Sequence, residues 1–294
     1  MEFEHDIDKI RSLSQIISTS NFKKIVREND YYSTFYKIKN YINVTHSTTN
    51  LDVINVIYNS LLINYKNEYV YKNILTNKLF LKKYSLRTTI ALNEFNIGKS
   101  IADFVLLNGE ARIYEIKTEL DNLEKLDKQI LDYCKFGNKV YIVSSSKYIN
   151  KLIELYVNST VGIIELTSRN TLKTVKVASK NDATFNHEIL FKTLRKEEYI
   201  EVIEEYFNYV PEVPNTKIFR ECLALAKKIE VSLFQKLVIK KLKSRNISNP
   251  KKIQEEVTPE SLKHICYTLD FSKNEYDKLN SFLNKKSKIC ISHI

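Results

Sequence analysis

Apolar residues recur at helical spacing through the first 85 positions. Ile7, Ile10, Leu13, Ile16 and Ile17 form one set. Val53, Ile54, Ile57, Leu61 and Leu62 form another, after a polar break at Thr45–Asn50. Such spacing puts each set on one helix face. A further helix is expected over Tyr65–Lys82. From about residue 86 the period changes. Thr88–Phe95 reads as a strand, and Ser100–Leu107 is almost wholly apolar apart from Asp103. Asn108-Gly109 is a hairpin signal, leading into a third strand over Ala111–Lys117. Thr118-x-x-Asp121 resembles a capping box that opens a helix from about Glu119 to Lys135, with Leu123, Leu126, Ile130 and Cys134 as its apolar stripe and Gly137-Asn138 as its stop. Lys139–Ser144 is a fourth strand and Lys147–Val157 a helix. Val161–Leu166 and Leu172–Ala178 are two more strands. After residue 180 the pattern reverts to helix: Glu197–Phe207, a long run over Ile218–Lys243, a polar break at Ser244–Pro250, and a start at Pro259 capped by Thr258. The order is that of a mixed α/β core.

Composition sharpens this division. The four glycines lie between Gly98 and Gly162, and the four prolines all follow them. The expected segments are therefore an N-terminal helical part (1–64), an α/β core (65–180) and a C-terminal helical region (181–294). No apolar run approaches the roughly 20 residues of a membrane helix. Met1-Glu2-Phe3-Glu4 has no basic or apolar leader character. Cys134, Cys222, Cys266 and Cys290 are scattered without metal spacing, as expected of free thiols in a reducing cytoplasm. No two histidines stand at i, i+4, and no glycine-rich phosphate loop is present. A net charge of +11 fits a polyanionic partner.

The informative stretch is Ile101–Lys117. Asp103 is embedded in an apolar strand, and the next strand ends Tyr114-Glu115-Ile116-Lys117. This Glu115-x-Lys117 is the one acid-x-Lys tripeptide in the chain. Period-2 alternation puts Glu115 and Lys117 on one face. Burying such charges costs several kcal/mol each unless they are paired or hold a metal. Metal-assisted phosphodiester hydrolysis asks for this set. Mg²⁺, with Mn²⁺ as substitute, takes oxygen ligands, here Asp103, Glu115 and the carbonyl of Ile116. Lys117 would orient or deprotonate the attacking water. The plain alternative is a Glu115–Lys117 ion pair on a solvated strand face. Loop length decides between them. A two-residue Asn108-Gly109 turn pairs Asp103 with Tyr114, on the opposite face from Glu115. A three-residue loop, Asn108 to Glu110, pairs Asp103 with Glu115.

Asp103, then Glu115-Ile116-Lys117, then a helix carrying Gln129-x-x-x-Tyr133, then a strand, resembles the PD-(D/E)XK nuclease superfamily, with Ala102 where the name has proline. Ile101-Ala102-Asp103-Phe104 and Tyr114–Asp121, with Leu126, Gln129 and Tyr133, are similar to an uncharacterised bacterial family within it. The resemblance extends weakly to Asn67–Asn73 and Leu194–Tyr199. It implies a restriction-endonuclease-like mixed sheet with an αβββαβ core, flanked by helical regions. It also implies a divalent-metal nuclease acting on nucleic acid, DNA ahead of RNA, in a setting directed at foreign DNA. An accessory acid would come from Glu68, with Lys72 one turn later, or from Glu94. An i, i+4 ion pair is the alternative for Glu68 and Lys72. Gln129 and Tyr133 would contact phosphates or the catalytic carboxylates. The rival readings are a nucleic-acid-binding module that does not cut, and a helical scaffold for a partner protein. A homodimer fits either. The basic run Lys240, Lys241, Lys243, Arg245, Lys251 and Lys252 reads as a solvated helix end.

Overall fold

A computed structural model describes residues 6–245, 247–254 and 258–291, without the side chain of Thr34. The N-terminal reading at Met1–Glu4 therefore lies outside the described residues, as does Asn246 of the Ser244–Pro250 break. Packing divides the chain into two units: a sheet unit, Tyr84–Asn246, and a helical unit made of Met1–Lys83 with Ile247–Ile294.

The sheet unit is mixed α/β. Its six strands are β1 (Ile90–Ile97), β2 (Ser100–Leu107), β3 (Ala111–Lys117), β4 (Lys139–Ser145), β5 (Gly162–Leu166) and β6 (Leu172–Lys176). They lie side by side in sequence order. β1, β2 and β3 are antiparallel, β3, β4 and β5 parallel, and β6 antiparallel to β5. β2 and β3 are buried along most of their length, which explains the near-continuous apolar sequence of β2, while β3 is buried although it carries Arg112, Glu115 and Lys117. Leu107 pairs with Ala111, so the β2–β3 loop has three residues. Gly109 takes the left-handed conformation there (φ +70°), and the Asn108 N–H donates to the Glu110 carbonyl at 3.0 Å.

One core runs through Val105 and Ile113 of the sheet, Ile130 of the helix Leu126–Cys134, Leu152 of Ser146–Tyr156, and Val238 of Val231–Lys243. Gln235 on the last of these donates to the Phe136 carbonyl (3.2 Å) and the Asn138 side chain (2.8 Å). Asn138 in turn accepts from the Ala111 N–H at 2.8 Å.

The helical unit is discontinuous in sequence. Its longest helix, Asn50–Asn64, starts on a Thr49/Asp52 capping box. The two chain segments are sewn together around it. The Asn50 N–H donates to the Lys285 carbonyl (3.0 Å), and its side chain donates to the Phe282 carbonyl (2.8 Å). The Phe282 ring meets Phe22 and Phe35 edge-on.

The observed elements differ from the sequence reading at several points, and Thr258 does not cap the turn at Pro259 but bonds the Lys252 carbonyl at 2.5 Å. The helix expected from Glu119 begins at Leu126. The Thr118 N–H and hydroxyl both bond Asp121 Oδ2 (2.8 and 2.7 Å), but they close a turn instead of opening a helix. The run Ile218–Lys243 is two helices, Asn215–Ala226 and Val231–Lys243. Glu230 caps the second through the N–H groups of Ser232 and Leu233. The helix expected over Tyr65–Lys82 starts at Glu68 and widens into a π-turn over Leu75–Leu81. The packing units divide near 84 and 246, not at 64 and 180. The later C-terminal helices pack with the N-terminal ones, while Lys196–Lys243 packs on the sheet. Among the described residues no cysteine is in a disulfide, and no helix is long and apolar enough to cross a membrane.

Candidate active site

The β2–β3 register, continued one residue past its last pair Phe104–Tyr114, sets Asp103 opposite Glu115. This is the arrangement that the three-residue loop requires. The main-chain ladder ends there. The Ile116 N–H donates to Asp103 Oδ2 at 2.6 Å. The amide and carbonyl of one residue in an extended strand point the same way, so the Ile116 carbonyl faces the same opening. On the other side of β2, Asn93 pairs with Phe104 and Phe95 with Ala102, which leaves Glu94 opposite Asp103. Glu94 has φ +51°, a left-handed conformation that costs a non-glycine residue of order 1–3 kcal/mol. Glu94 and Asp103 bring carboxylate oxygens within 4.8 Å of each other.

Glu115 is 1 % exposed. Lys117 Nζ donates to its Oε1 at 2.7 Å, and the Tyr133 hydroxyl to its Oε2 at 2.7 Å. Lys117 Nζ also donates to Gln129 Oε1 at 3.0 Å. The Tyr133 hydroxyl lies 2.7 Å from the Ile101 carbonyl as well, so its one proton is shared between two acceptors. Burial, then the negative charges of Glu115 and Asp103, raise the Tyr133 pKa far above that of a free phenol. The helix Leu126–Cys134 thus supplies two side chains, one turn apart, that hold the Glu115–Lys117 pair.

That helix is itself pinned. Asp132 Oδ2 accepts from the Lys99 N–H (3.1 Å) and the Ser100 hydroxyl (2.9 Å) at the β1–β2 turn. Burial alone would raise the Asp132 pKa. The bonds from Ser100, Lys99 and Lys135 outweigh it and lower the pKa. A Cβ on Gly98 would meet Asp132 at 2.9 Å. On the far side of β3, the Ser144 hydroxyl donates to the Lys117 carbonyl at 2.6 Å.

A family model described as Bacteriophage P4 protein cII matches residues 62–266, well over half of the chain and every residue of this site. The chain belongs to the phage P4 cII family. One relative is protein cII of Enterobacteria phage P4, 27 % identical over 169 residues that cover 56 % of this chain. The cII-family chain spans 62 % of the length of that relative. Among solved structures, a protein of unknown function from Silicibacter pomeroyi aligns over 33 % of this chain and 64 % of its own, at 14 % identity and a TM-score of 0.27.

In this cII-family chain the sheet unit brings together Asp103, Glu94, Glu115, Ile116, Lys117, Gln129 and Tyr133. Glu68 and Lys72 belong to the helical unit, where they form an ion pair of 2.5 Å with the Lys72 ammonium mostly buried. Within the basic run, Lys240 pairs with Glu205, Lys241 with Glu201, and Arg245 with Glu198 at 2.6 Å. Sequence reasoning missed Asp132 and Ser144. Asp132 stands three residues after Gln129, a spacing that marks a neighbouring stripe of the same helix but says nothing of the turn it grips.

Asp103 and Glu94, whose carboxylate oxygens come within 4.8 Å of each other, suit a hard divalent cation; Glu115 and the Ile116 carbonyl offer further oxygens outside that cluster. Each Glu115 oxygen accepts one hydrogen bond and retains a second lone-pair direction.

Proposed function

We propose that this protein is a divalent-metal-dependent nuclease with a restriction-endonuclease-like core in its sheet unit. The observation that carries the reading is the register that opposes Asp103 to Glu115, with Lys117 bonded to Glu115 at 2.7 Å. Asp103, Glu115 and the Ile116 carbonyl would hold Mg²⁺ or Mn²⁺, with Glu94 as the accessory acid of this unit. Such an ion supplies activation of a water and neutralisation of charge on the phosphate.

The chain's own residues do the rest. Lys117 presents an ammonium to the phosphate and to the attacking water. Gln129 fixes the direction of that ammonium. Tyr133 keeps Glu115 oriented by donating to it. Asp132 keeps Gln129 and Tyr133 in place by tying their helix to the β1–β2 turn. DNA is the preferred substrate in this reading, and the phage source of the relative is in keeping with a role on mobile or foreign DNA.

The test is cleavage of single- and double-stranded DNA and RNA across a Mg²⁺ and Mn²⁺ titration. Wild type is expected to cut. Glu115→Gln and Lys117→Met are expected to lose at least about a hundredfold in rate, measured at a temperature where unfolding curves show each destabilised variant still folded. Absence of cleavage on every substrate overturns the reading. The closed Glu115–Lys117–Gln129 network also favours a second reading, a module that grips nucleic acid without cutting. It predicts binding that neither substitution changes.

A further inference from the structure

We infer that the helical unit carries a phosphate-binding site for a nucleic-acid backbone, built where the loop over residues 45–48 meets Lys286 and Lys288. The inference goes beyond the nuclease reading, whose chemistry lies in the sheet unit.

The polar break in the N-terminal pattern begins Thr45-His46-Ser47-Thr48, and near the other end of the chain stands Lys285-Lys286-Ser287-Lys288. Folding lays the two side by side. Thr49 and Lys286 form an antiparallel bridge, and the Ser287 N–H donates to the Thr48 carbonyl at 2.9 Å. These main-chain bonds fix the loop against the lysines before any side chain acts.

Two ammoniums converge on neighbouring residues of the loop. Lys286 Nζ donates to the Ser47 carbonyl at 2.8 Å, and Lys288 Nζ to His46 Nε2 at 3.0 Å. An ammonium has only protons to offer, so Nε2 presents its lone pair and Nδ1 carries the imidazole proton. Both contacts are thus to neutral groups. Asp52 is the acid whose charge reaches Lys286, and its Oδ2 already accepts the Thr49 N–H (2.8 Å) and hydroxyl (2.7 Å).

The loop hydroxyls add a donor. Thr45 Oγ1 lies 3.0 Å from Ser47 Oγ and 2.9 Å from Thr48 Oγ1. Two contacts use two of the three hydroxyl protons, and the third is left for a partner outside the trio. Thr45, His46, Ser47 and Lys286 are exposed, so the donors can be reached from solvent. Ammonium, imidazole N–H and hydroxyl match the oxygens of a phosphate, and ionic bonds of this type are the strong ones. The loop has no glycine cradle to enclose a nucleotide. An open site on a chain of net charge +11 suits the outward-facing phosphates of a polyanion.

Binding is measured on the full chain, in chelator, with inorganic phosphate and with a hydroxyl-ended DNA oligonucleotide as separate probes. The ring-proton signal of His46, assigned with His46→Gln, is followed by NMR. It is expected to move with both probes. Lys286→Gln/Lys288→Gln is expected to keep its melting temperature, weaken oligonucleotide binding about tenfold and lower the salt dependence by about two ions. Lys286→Arg/Lys288→Arg keeps both charges and should bind as wild type does. Equal loss in the Arg and Gln variants overturns the site, because the effect is then not one of charge. Wild-type binding by the Gln variant overturns it as well. A His46 signal that moves with phosphate and ignores the oligonucleotide overturns the nucleic-acid assignment in favour of a small phosphorylated ligand. Cleavage is scored separately with Glu115→Gln. A protein that binds through Lys286 and Lys288 but never cuts keeps this site and overturns the nuclease reading.

Discussion

Tyr133 and Glu115 are joined by a 2.7 Å hydrogen bond between a helix and a strand that are 18 residues apart in sequence. The bond gives a buried carboxylate a second donor beside Lys117. Tyr133→Phe leaves Glu115 Oε2 without it. The expected loss is about 1–3 kcal/mol of stability, read from denaturant unfolding. The raised phenol pKa carries a pH signature. The unfolded tyrosine loses its proton near pH 10, while the folded one keeps it well above that. The folded state therefore binds more protons in alkali, and the stability that Tyr133 contributes is intact below pH 10 and lost as pH rises beyond it. The alkaline limb of a stability–pH curve should be shallower in Tyr133→Phe.

Glu115 and Lys117 are a buried ion pair, with side chains 2 % and 11 % exposed. Removing one partner leaves the other charge unpaired. Lys117→Met is expected to destabilise the fold by about 3–5 kcal/mol. The double variant Glu115→Gln/Lys117→Met should recover most of that loss. A coupling energy near zero in this double-mutant cycle would mean that the pair does not act as a unit.

Glu94 holds a left-handed backbone opposite Asp103. Glu94→Gly relieves the conformation and is expected to leave stability unchanged or raise it by about 1 kcal/mol, measured as melting temperature. The same change removes a carboxylate from beside Asp103. Calorimetric titration with Mn²⁺ should then show weaker binding. A residue that lowers stability and raises cation affinity is one held for its site.

His264 is buried in the helical unit, 3.1 Å from the Thr76 hydroxyl. Burial, then the nearby Lys72 ammonium, push its pKa down to about 3. The unfolded chain takes up this proton near pH 6.5, and the folded one does not until about pH 3. The stability that neutral His264 contributes is complete above pH 6.5 and falls as pH drops from there towards 3. His264→Gln should flatten the acid limb over that window.

Gly98 turns at φ +64° against Asp132. Gly98→Ala adds a Cβ both to a left-handed residue and 2.9 Å from the Asp132 carboxylate. A loss of about 1–3 kcal/mol is expected. Under the proposed function, Lys117 chemistry should weaken with it, because the Gln129/Tyr133 helix loses its anchor. Cleavage rates and unfolding curves on the same variant separate the two effects.

Much of this was legible in local pattern. The bounds of β2 and β3 follow from the apolar run, the charge alternation at Glu115 and Lys117, and the Asn108-Gly109 turn, because side-chain direction in a strand and glycine's access to positive φ are local properties. The candidate acids and Lys117 stood out because charge inside an apolar strand is costly wherever the strand ends up. Thr118 and Asp121 misled because the hydrogen bonds of a capping box also close a turn, and nothing local tells the two apart.

What tertiary structure decided is of another kind. The loop length that opposes Asp103 to Glu115 is a choice between two registers that the residues alone permit. The grip of Tyr133 and Gln129 on the Glu115–Lys117 pair, and of Asp132 on the β1–β2 turn, joins groups up to 33 residues apart. The pairing of the chain's two ends into one helical unit joins groups more than 200 apart. The sequence by itself determined the order of strands and helices along the chain and which charges need partners. Closing the chain selected those partners, because burial energy depends on total packing and not on spacing along the chain.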